Sequence, residues 1–391
     1  MLINRTAGGT ATELARAYPV IVITGPRQSG KTTLTRASFP DKPYVSLEDP
    51  DQRDFAKEDP RRFLSRYPDG AVLDEVQRVP DLFSYLQTRV DQDLRPGLFV
   101  LSGSQQFGVL SKVTQSLAGR VALVPLLPFS LEELQDAGRE PNTLEEVLFT
   151  GFYPAIYDRG ISPEIWYGNY VQTYIERDVR QRINVRDLST FQRFVRMCAG
   201  RTGRLVNLTS LANDCGISHN TAKAWLSVLQ ASYIVHLLPP HHRNFDKRLL
   251  KTPKLYFLDP GLAAWLVGIR NAEQIEFHPM RGALFETLVV SELLKRRFHQ
   301  GLTSNLFFWQ DRHGREVDIL IDQGQQLVPV EVKSGQTIAR SYFTGLSRWV
   351  SLAGQEAGEP WVVYGGTERQ SRSQAEVLPW REIRDLAPDQ E

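Results

Sequence analysis

Short apolar runs, separated by polar turns and helical stretches, dominate the first 170 residues of the chain. Residues 20–23, 71–73 and 98–102 each read as a short buried strand. A fourth apolar run begins just after Arg120. The alternation of strands with helices predicts a parallel, doubly wound α/β sheet, in which ligands bind at the carboxyl ends of the strands.

The pattern changes near residue 169, where apolar residues recur at helical spacing and predict two helices between residues 171 and 198. Residues 207–230 then read as helix, tight turn at Gly216, and a second helix capped by Ser218. Two apolar segments on either side of a basic loop follow as a hairpin. This order of elements predicts a winged helix-turn-helix.

Beyond residue 255 the pattern is again a mixture of helices and strands. An amphipathic helix begins near Arg281, and alternating apolar positions predict strands at residues 306–310, 317–321 and 327–333. A helix and a strand close this region, which predicts a small α/β domain. The chain is therefore predicted to have three domains, at residues 1–168, 169–254 and 255–391.

A phosphate-binding loop (P-loop) is predicted between the first strand and the helix that begins near Lys31. Gly25, Gly30, Lys31 and Thr32 satisfy the spacing G-x-x-x-x-G-K-[ST]. The glycines let backbone N–H groups face one phosphate, Lys31 reaches the β- and γ-phosphates, and Thr32 binds Mg²⁺. The predicted ATP-binding residues are Gly25, Pro26, Arg27, Gln28, Ser29, Gly30, Lys31, Thr32 and Thr33.

Three further positions are predicted to complete an ATPase site. Asp74 and Glu75 end an apolar strand in the manner of a Walker B motif, so Asp74 would bind Mg²⁺ through water and Glu75 would polarise the attacking water. Ser104, after the third strand, would contact the γ-phosphate or lie in a plain turn. Arg120 would reach a neighbouring subunit as an arginine finger, in a ring or dimer, or form a structural ion pair.

Composition and charge limit the cellular compartment and the binding partners that we expect for this protein. No apolar stretch approaches the roughly 20 residues of a membrane span, no signal peptide is evident, and the only two cysteines cannot form a disulfide framework. A cytoplasmic protein without a membrane partner is expected. The net charge is +1, but residues 171–254 hold 14 Lys and Arg against five Asp and Glu, which places any polyanion contact in this middle region.

The predicted winged helix is the candidate nucleic-acid interface, with DNA favoured over RNA. Residues at the start of its second helix and in the basic loop of its hairpin would contact base edges or phosphates. These residues are His219, Asn220, Lys223, Arg243, Lys247 and Arg248. The alternative is that this element serves as a lid or an oligomer contact and touches no nucleic acid.

A second cluster of polar residues is predicted in the C-terminal region. Asp318 and Glu331 lie on adjacent strands, Lys333 shares a face with Glu331, and Glu286 lies on the preceding helix. Carboxylates with a nearby lysine suit metal-assisted phosphodiester hydrolysis, with Mg²⁺ or Mn²⁺ bound by the carboxylates. The alternatives are a binding platform without catalysis, or a buried Glu331–Lys333 pair with no metal role.

The whole chain resembles a family of bacterial and archaeal AAA-type ATPases that carry a C-terminal domain formerly of unknown function. The segments that carry the resemblance are GPRQSGKT, VLDEVQ, LSGSQ, SLAGR and GFYP. The resemblance implies that Gly151 and Pro154 form a lid turn that helps to report nucleotide state. The C-terminal residues are similar to the PD-(D/E)XK nuclease fold, although no proline directly precedes Asp318.

Two functions are therefore compatible with the sequence. The first is an Mg²⁺-dependent ATPase that couples ATP hydrolysis to nucleic-acid binding or remodelling and has a C-terminal metal-dependent nuclease site. The second is a slow, nucleotide-gated regulator whose C-terminal domain only binds a partner. Nucleic-acid-stimulated ATP turnover and metal binding at Asp318 distinguish the two.

Overall fold

The computed structural model describes residues 3–103, 117–179, 188–241, 252–311 and 313–387. The chain divides into two compact units, each of which is assembled from separate stretches of sequence. The first unit comprises Met1–Phe129, Ala231–Tyr233 and Lys295–Thr303. The second unit comprises Ser130–Gln230, Ile234–Leu294 and Ser304–Glu391.

The first unit is built on a parallel sheet with the spatial order β2-β3-β4-β1-β5. Its strands are β1 (Val20–Thr24), β2 (Tyr44–Ser46), β3 (Ala71–Asp74), β4 (Phe99–Gly103) and β5 (Val121–Pro125). The residues of β1, β3 and β4 are buried throughout, as expected for strands that are covered on both faces. The predicted parallel α/β sheet is thereby confirmed.

Helices cover this sheet and connect its strands. They are α1 (Thr6–Leu14), α2 (Lys31–Ser38), α3 (Pro50–Glu58), α4 (Pro60–Ser65) and α5 (Leu82–Gln92). Helix α2 begins directly after the loop that follows β1. The chain breaks between α3 and α4 at Asp59, whose carboxylate accepts a hydrogen bond from the backbone N–H of Arg62, and Pro60 opens α4.

The second unit begins with four helices that the predicted domain boundary assigns to the first domain. They are α6 (Leu131–Asp136), α7 (Leu144–Thr150), α8 (Pro154–Arg159) and α9 (Pro163–Tyr170), followed by a π-helix at Val171–Val179. Both α6 and α7 begin with capping boxes, at Ser130 and Thr143. Because the first unit reaches only Phe129 in this part of the chain, the boundary expected at residue 168 does not separate the observed units.

A helix-turn-helix segment follows, which here denotes residues 188–257. Its elements are α10 (Leu188–Ala199), β6 (Arg204–Leu205), α11 (Leu208–Cys215), α12 (His219–Ala231), β7 (Val235–Leu238) and β8 (Lys254–Phe257). The turn between α11 and α12 is at Gly216, which has a φ of 69°. The three strands form an antiparallel sheet in the order β6-β8-β7.

The rest of the second unit contains a mixed sheet, in the order β13-β14-β12-β11-β10-β9. The helices of this part of the chain are α13 (Pro260–Leu266), α14 (Glu273–Glu276), α15 (Arg281–His299) and α16 (Thr344–Ala353). Its strands are β9 (Leu306–Gln310), β10 (Glu316–Asp322), β11 (Leu327–Lys333), β12 (Trp361–Tyr364), β13 (Gln370–Arg372) and β14 (Ala375–Pro379). Strands β9, β10 and β11 are antiparallel, whereas β11, β12 and β14 are parallel. Helix α16 packs on β10 and β11, and its Leu346 and Trp349 lie in the core.

The helix-turn-helix segment and the mixed sheet are joined within the second unit. Pro240, just beyond β7, forms a parallel β-bridge with Phe308 of β9. The backbone N–H of His241 donates to the carbonyl of Phe308 at 2.8 Å. The boundary expected between residues 254 and 255 therefore falls inside strand β8, and the two predicted domains share one compact unit.

None of the helices in the described ranges combines the length and apolar character that a membrane span requires.

Candidate functional site

The loop between β1 and α2 has the backbone geometry that a phosphate-binding loop requires. Gly25 has a φ of 149°, and a Cβ added there would lie 2.0 Å from the carbonyl oxygen of Leu126, so only glycine fits. Gly30 has a φ of 94° and precedes the first residue of α2, while Gln28 has a φ of 62°. The predicted strand, loop and helix therefore occur in the expected order.

Lys31 lies over this loop rather than in solvent. It is 6% exposed, and its ammonium group donates hydrogen bonds to the carbonyls of Gly25 at 3.2 Å and Pro26 at 2.7 Å. Burial lowers the pKa of Lys31 to about 8, although the nearby carboxylates of Glu75 and Asp74 oppose this effect. The protein thus holds a buried cation beside the loop's backbone.

The carboxylate of Asp74 contacts Thr32, the other residue that the sequence assigns to Mg²⁺. The hydroxyl of Thr32 donates to Oδ2 of Asp74 at 2.8 Å, which brings together the two side chains that the sequence assigns to Mg²⁺. Tyr44 donates to the same oxygen at 2.5 Å, and Ser102 of β4 donates to Oδ1. Carboxylate and hydroxyl oxygens are hard ligands that suit Mg²⁺, so this set of donors fits the ion.

Glu75 directly follows Asp74 and has a strained backbone conformation. Its φ of 55° places it in the left-handed region, which is uncommon for a residue other than glycine. Burial raises the pKa of Glu75, while the positive charge of Lys31 opposes that rise. The amide of Gln77 donates to the Glu75 carboxylate, which fixes its orientation. Glu75 is thus a carboxylate suited to accept a proton from water.

The structure bears differently on the two remaining predicted ATPase residues. Ser104 lies outside the described residues. Arg120 lies just before β5 and pairs with the carboxylate of Asp91, and it donates to the carbonyl of Ala118 at 3.0 Å. Its side chain is 34% exposed. Arg120 therefore makes the intrachain ion pair that was one of the two interpretations of the sequence.

Two residues that the sequence analysis missed support the site. Ser102 lies in a run of apolar residues, and its position beside β3 brings its hydroxyl to Asp74. Arg5 is 8% exposed and donates to the carbonyls of Ser29 at 2.8 Å and Leu127 at 2.6 Å, so it ties the loop to the segment after β5. A polar residue inside an apolar strand was the available signal for Ser102, whereas no sequence pattern marks Arg5.

The GFYP segment, which was expected to form a lid turn, lies in the second unit. Gly151 ends α7 with a φ of 62°, and a Cβ there would lie 2.1 Å from the hydroxyl of Tyr167 and 2.4 Å from Asp259. The buried Asp259 accepts a hydrogen bond from the backbone N–H of Phe152 at 2.8 Å. The glycine is thus required by a close approach of side chains.

Half of the predicted nucleic-acid contacts lie in the described residues. His219, Asn220 and Lys223 are exposed on the first turns of α12, where Ser218 caps the helix by accepting from the N–H of Thr221 at 3.1 Å. Arg243, Lys247 and Arg248 lie outside the described residues. The described face therefore offers one lysine and two polar side chains at a helix N-terminus.

The predicted C-terminal residues do come together on β10 and β11. The ammonium of Lys333 is 2.6 Å from Oε1 of Glu331 and 3.3 Å from Oδ2 of Asp318. The backbone N–H of Val332 donates to the same Asp318 oxygen at 2.8 Å. Burial, followed by the charge of Asp318, raises the pKa of Glu331 to about 7.

Glu286 has partners that the sequence analysis did not anticipate. Lys254 of β8 lies 3.2 Å from Oε1 of Glu286, and the hydroxyl of Tyr256 donates to the same oxygen. Burial raises the pKa of Glu286 to about 7, and the positive charge of Lys254 opposes that rise. Lys254 is distant in sequence from the other members, so no spacing rule could have identified it.

The carboxylates of the predicted metal cluster have lysine partners in the structure. Across the described part of the chain, no three side chains of His, Cys, Asp or Glu are placed to hold a metal ion. Glu286, Asp318 and Glu331 were expected to share Mg²⁺ or Mn²⁺, but lysine ammonium groups contact all three carboxylates instead. This donor set does not fit a divalent metal.

Three family models match successive parts of the chain. Residues 17–135 match an AAA domain, residues 141–273 match a domain of unknown function (DUF8612), and residues 281–383 match a second domain of unknown function (DUF4143). Two curated relatives are each 31% identical over 354 residues, covering 88% of this chain and 78% of the relative. They are the uncharacterized proteins Rv2008c of Mycobacterium tuberculosis and Mb2031c of Mycobacterium bovis.

Similar solved structures include the Walker-type ATPase PABY2304 of Pyrococcus abyssi. It is 16% identical, the match covers 68% of this chain and 96% of that chain, and the TM-score is 0.45. AMPPCP-bound DnaA from Aquifex aeolicus is 17% identical over 57% of this chain and 85% of that chain, with a TM-score of 0.30. These similarities are loose.

Proposed function

Since the chain belongs to the same family as the uncharacterized mycobacterial protein Rv2008c and carries an AAA-type ATPase domain, we propose that it is an Mg²⁺-dependent ATPase that couples hydrolysis to nucleic-acid binding or remodelling, with DNA favoured. The observation that carries the ATPase part is the contact of Thr32 with Asp74 at 2.8 Å, beside the P-loop and Lys31. Few other functions need these groups in this order.

Each residue of the site has a role that follows from its position. Backbone N–H groups between Gly25 and Thr32 bind the phosphates, and Lys31 exchanges its hydrogen bonds to loop carbonyls for bonds to phosphate oxygens. Bound Mg²⁺ would neutralise charge on the β- and γ-phosphates. Glu75 polarises the attacking water and takes its proton. Ser102 orients Asp74 through a hydrogen bond.

The nucleic-acid part of the proposal rests on charge and topology. Residues 171–254 carry the excess of Lys and Arg, and the helix-turn-helix segment exposes His219, Asn220 and Lys223 at the N-terminus of α12. Such a helix end contacts phosphates or base edges in helix-turn-helix proteins. Most of the binding free energy would come from phosphate contacts, so affinity would depend strongly on salt.

The test measures ATP turnover with and without duplex DNA, at several salt concentrations, in the wild type and in Lys223→Ala. DNA should stimulate turnover in the wild type, and Lys223→Ala should lower DNA affinity and reduce the salt slope by about one. The control is Lys57→Ala, an exposed lysine on α3 of the first unit. Turnover that is indifferent to DNA would contradict the coupling but leave the ATPase activity standing.

A second candidate is the slow, nucleotide-gated regulator whose C-terminal domain only binds a partner. The observation that favours it is that Lys254 and Lys333 contact the carboxylates that were expected to bind a metal. Phosphodiester cleavage at Asp318, Glu331 and Lys333 is for the same reason not part of the proposed function. Slow turnover with no response to DNA would favour this candidate over the first.

An oligomer is proposed only in connection with Arg120. To act as an arginine finger on a neighbouring subunit, Arg120 must leave the carboxylate of Asp91, with which it pairs in this chain. Because this ion pair is partly exposed to solvent, breaking it costs little free energy. Arg120→Ala should then lower the maximal turnover without changing ATP affinity, and turnover that is unchanged would rule out the finger role.

A further inference from the structure

The second unit brings together charged side chains from four different elements, β8, α15, β10 and β11, and buries most of them. We refer to it as the six-charge cluster. Its members are Lys254, Glu286, Glu316, Asp318, Glu331 and Lys333. Lys254 is 3% exposed and Asp318 is 4% exposed, so the central members are removed from water. Buried charges of this kind persist only when they are paired.

Lys254 is the most deeply placed cation of the cluster. Its ammonium lies 3.2 Å from Oε1 of Glu286 and 3.5 Å from Oε2 of Glu316. Burial disfavours the charge, but the carboxylates, Glu286 first, raise the pKa of Lys254 above its ordinary value. Lys254 therefore remains an ammonium ion that bridges α15 and β10.

Lys333 neutralises the other half of the cluster. It contacts Oε1 of Glu331 and Oδ2 of Asp318, and that Asp318 oxygen also accepts from the backbone N–H of Val332. Of the six side chains in the cluster, all of which the structure describes, Glu331 alone has a fully buried polar atom, Oε2, without a hydrogen-bond partner. Mg²⁺ and Mn²⁺ bind carboxylate oxygens, and ammonium groups already contact one oxygen of each of the four carboxylates here.

A divalent ion that binds the carboxylate oxygens contacted by Lys254 and Lys333 must displace an ammonium group. Only 4% of the Lys254 side chain is exposed, so displacement from Glu286 would leave its charge buried without that partner. Removing one partner of a buried ion pair is strongly unfavourable. Lys254 thus competes with a metal ion for Oε1 of Glu286 and Oε2 of Glu316.

We propose that Lys254 is the resident cation of the six-charge cluster, in place of a divalent metal, and that it ties strand β8 of the helix-turn-helix segment to the C-terminal sheet. The hydroxyl of Tyr256, also on β8, donates to the same Glu286 oxygen and reinforces this connection. The C-terminal domain then contains an ion pair that connects two parts of the chain, at the place where its sequence suggests a nuclease centre. This inference does not depend on the ATPase proposal.

The test titrates nucleotide-free full-length protein with Mn²⁺ and follows free Mn²⁺ by electron paramagnetic resonance. The variants are Lys254→Met, Lys254→Arg, Asp318→Asn and the double variant Lys254→Met with Asp318→Asn. The wild type and Lys254→Arg should show no Mn²⁺ site that depends on Asp318. Lys254→Met should gain one site with at least about tenfold higher affinity, which the double variant should lose.

Two results would overturn the proposal. One is a wild-type Mn²⁺ site that Asp318→Asn abolishes, because the cluster would then hold metal despite Lys254. The other is folded Lys254→Met that binds no more Mn²⁺ than the wild type, because Lys254 would then not be what excludes the ion. If Lys254→Met fails to fold, the comparison of the wild type with Asp318→Asn still decides the metal question.

Discussion

The hydroxyl of Tyr233 lies 2.8 Å from the hydroxyl of Thr24, the last residue of β1 before the P-loop. Tyr233 belongs to the short stretch Ala231–Tyr233, which forms part of the first unit. The residues on both sides of this stretch belong to the second unit. It is 5% exposed and has a φ of 55°, which is unusual for an aromatic residue. Burial raises the pKa of Tyr233 to about 12, so the phenol stays protonated. A buried hydrogen bond therefore anchors the end of the P-loop strand.

Removing this hydrogen bond should destabilise the first unit. Tyr233→Phe leaves the hydroxyl of Thr24, which is 1% exposed, buried without its partner. The free energy of unfolding should fall by about 1–2 kcal/mol, as measured by urea denaturation. Tyr67→Phe is the control, because Tyr67 also lies in the first unit, where it is half-buried, and its hydroxyl forms no hydrogen bond within the described residues. Equal urea midpoints for the two variants would contradict the anchoring role.

Ser102 should matter for catalysis because it holds Asp74. Ser102→Ala removes the hydrogen bond to Oδ1 of Asp74 while leaving the contact of Thr32 with Oδ2. Partners that orient a metal-binding carboxylate are typically worth 10–100-fold, so ATP turnover should fall by about that factor at saturating ATP. Ser84→Ala, at an exposed position on α5, should leave turnover unchanged. Wild-type turnover in Ser102→Ala would show that Asp74 needs no such support.

The buried Lys31 predicts how ATP affinity depends on pH. Its pKa of about 8 in the nucleotide-free protein means that Lys31 is charged below that pH and loses its proton above it. ATP binding requires the charged form, so above pH 8 binding must also take up a proton, and the dissociation constant should rise about tenfold per pH unit. Fluorescence titration with a labelled ATP analogue measures this dependence.

The matched variant for that titration is Lys31→Arg, because arginine keeps its charge throughout the range. Its affinity for ATP will be lower, but it should not change with pH between about pH 7 and 9.5. A wild-type dissociation constant that is equally flat would show that Lys31 is not the titrating group.

The ion pair of Lys254 with Glu286 should be measurable as a coupling free energy. Lys254→Met leaves buried carboxylates unpaired and should lower the free energy of unfolding of the second unit by about 3–5 kcal/mol. Combining it with Glu286→Gln should cost much less than the sum of the two single changes. Arg369→Met is the control, because its pair with Glu382 is half-exposed. If the losses of unfolding free energy in the two single variants add up to the loss in the double variant, the two side chains do not interact.

Local patterns in the sequence were sufficient to predict the parallel sheet and the P-loop. The strands around Val22 and Leu73, and the helix at Lys31, lie where apolar runs and glycine spacing indicated. These features depend on short-range periodicity and on backbone angles that glycine supplies, so they can be read from neighbouring residues.

The parts that could not be predicted depend on contacts between residues distant in sequence. Lys254 reaches Glu286 and Glu316 only because β8 lies beside α15 and β10 in the folded chain. For the same reason a change of composition near residue 254 suggested a domain boundary, whereas the structure has a continuous strand there. The single polar residue Ser102 was overlooked in favour of Ser104 because strand register, which brings Ser102 beside Asp74, is not visible in one sequence.

The central claim is that the loop from Gly25 to Thr32 binds MgATP and that the first unit hydrolyses it. The most direct measurement is steady-state phosphate release by the purified full-length wild type, by Lys31→Ala and by the control Lys57→Ala, with ATP and Mg²⁺ in excess. The account predicts turnover in the wild type and the control, and its loss in Lys31→Ala. Equal phosphate release by the wild type and Lys31→Ala would contradict it.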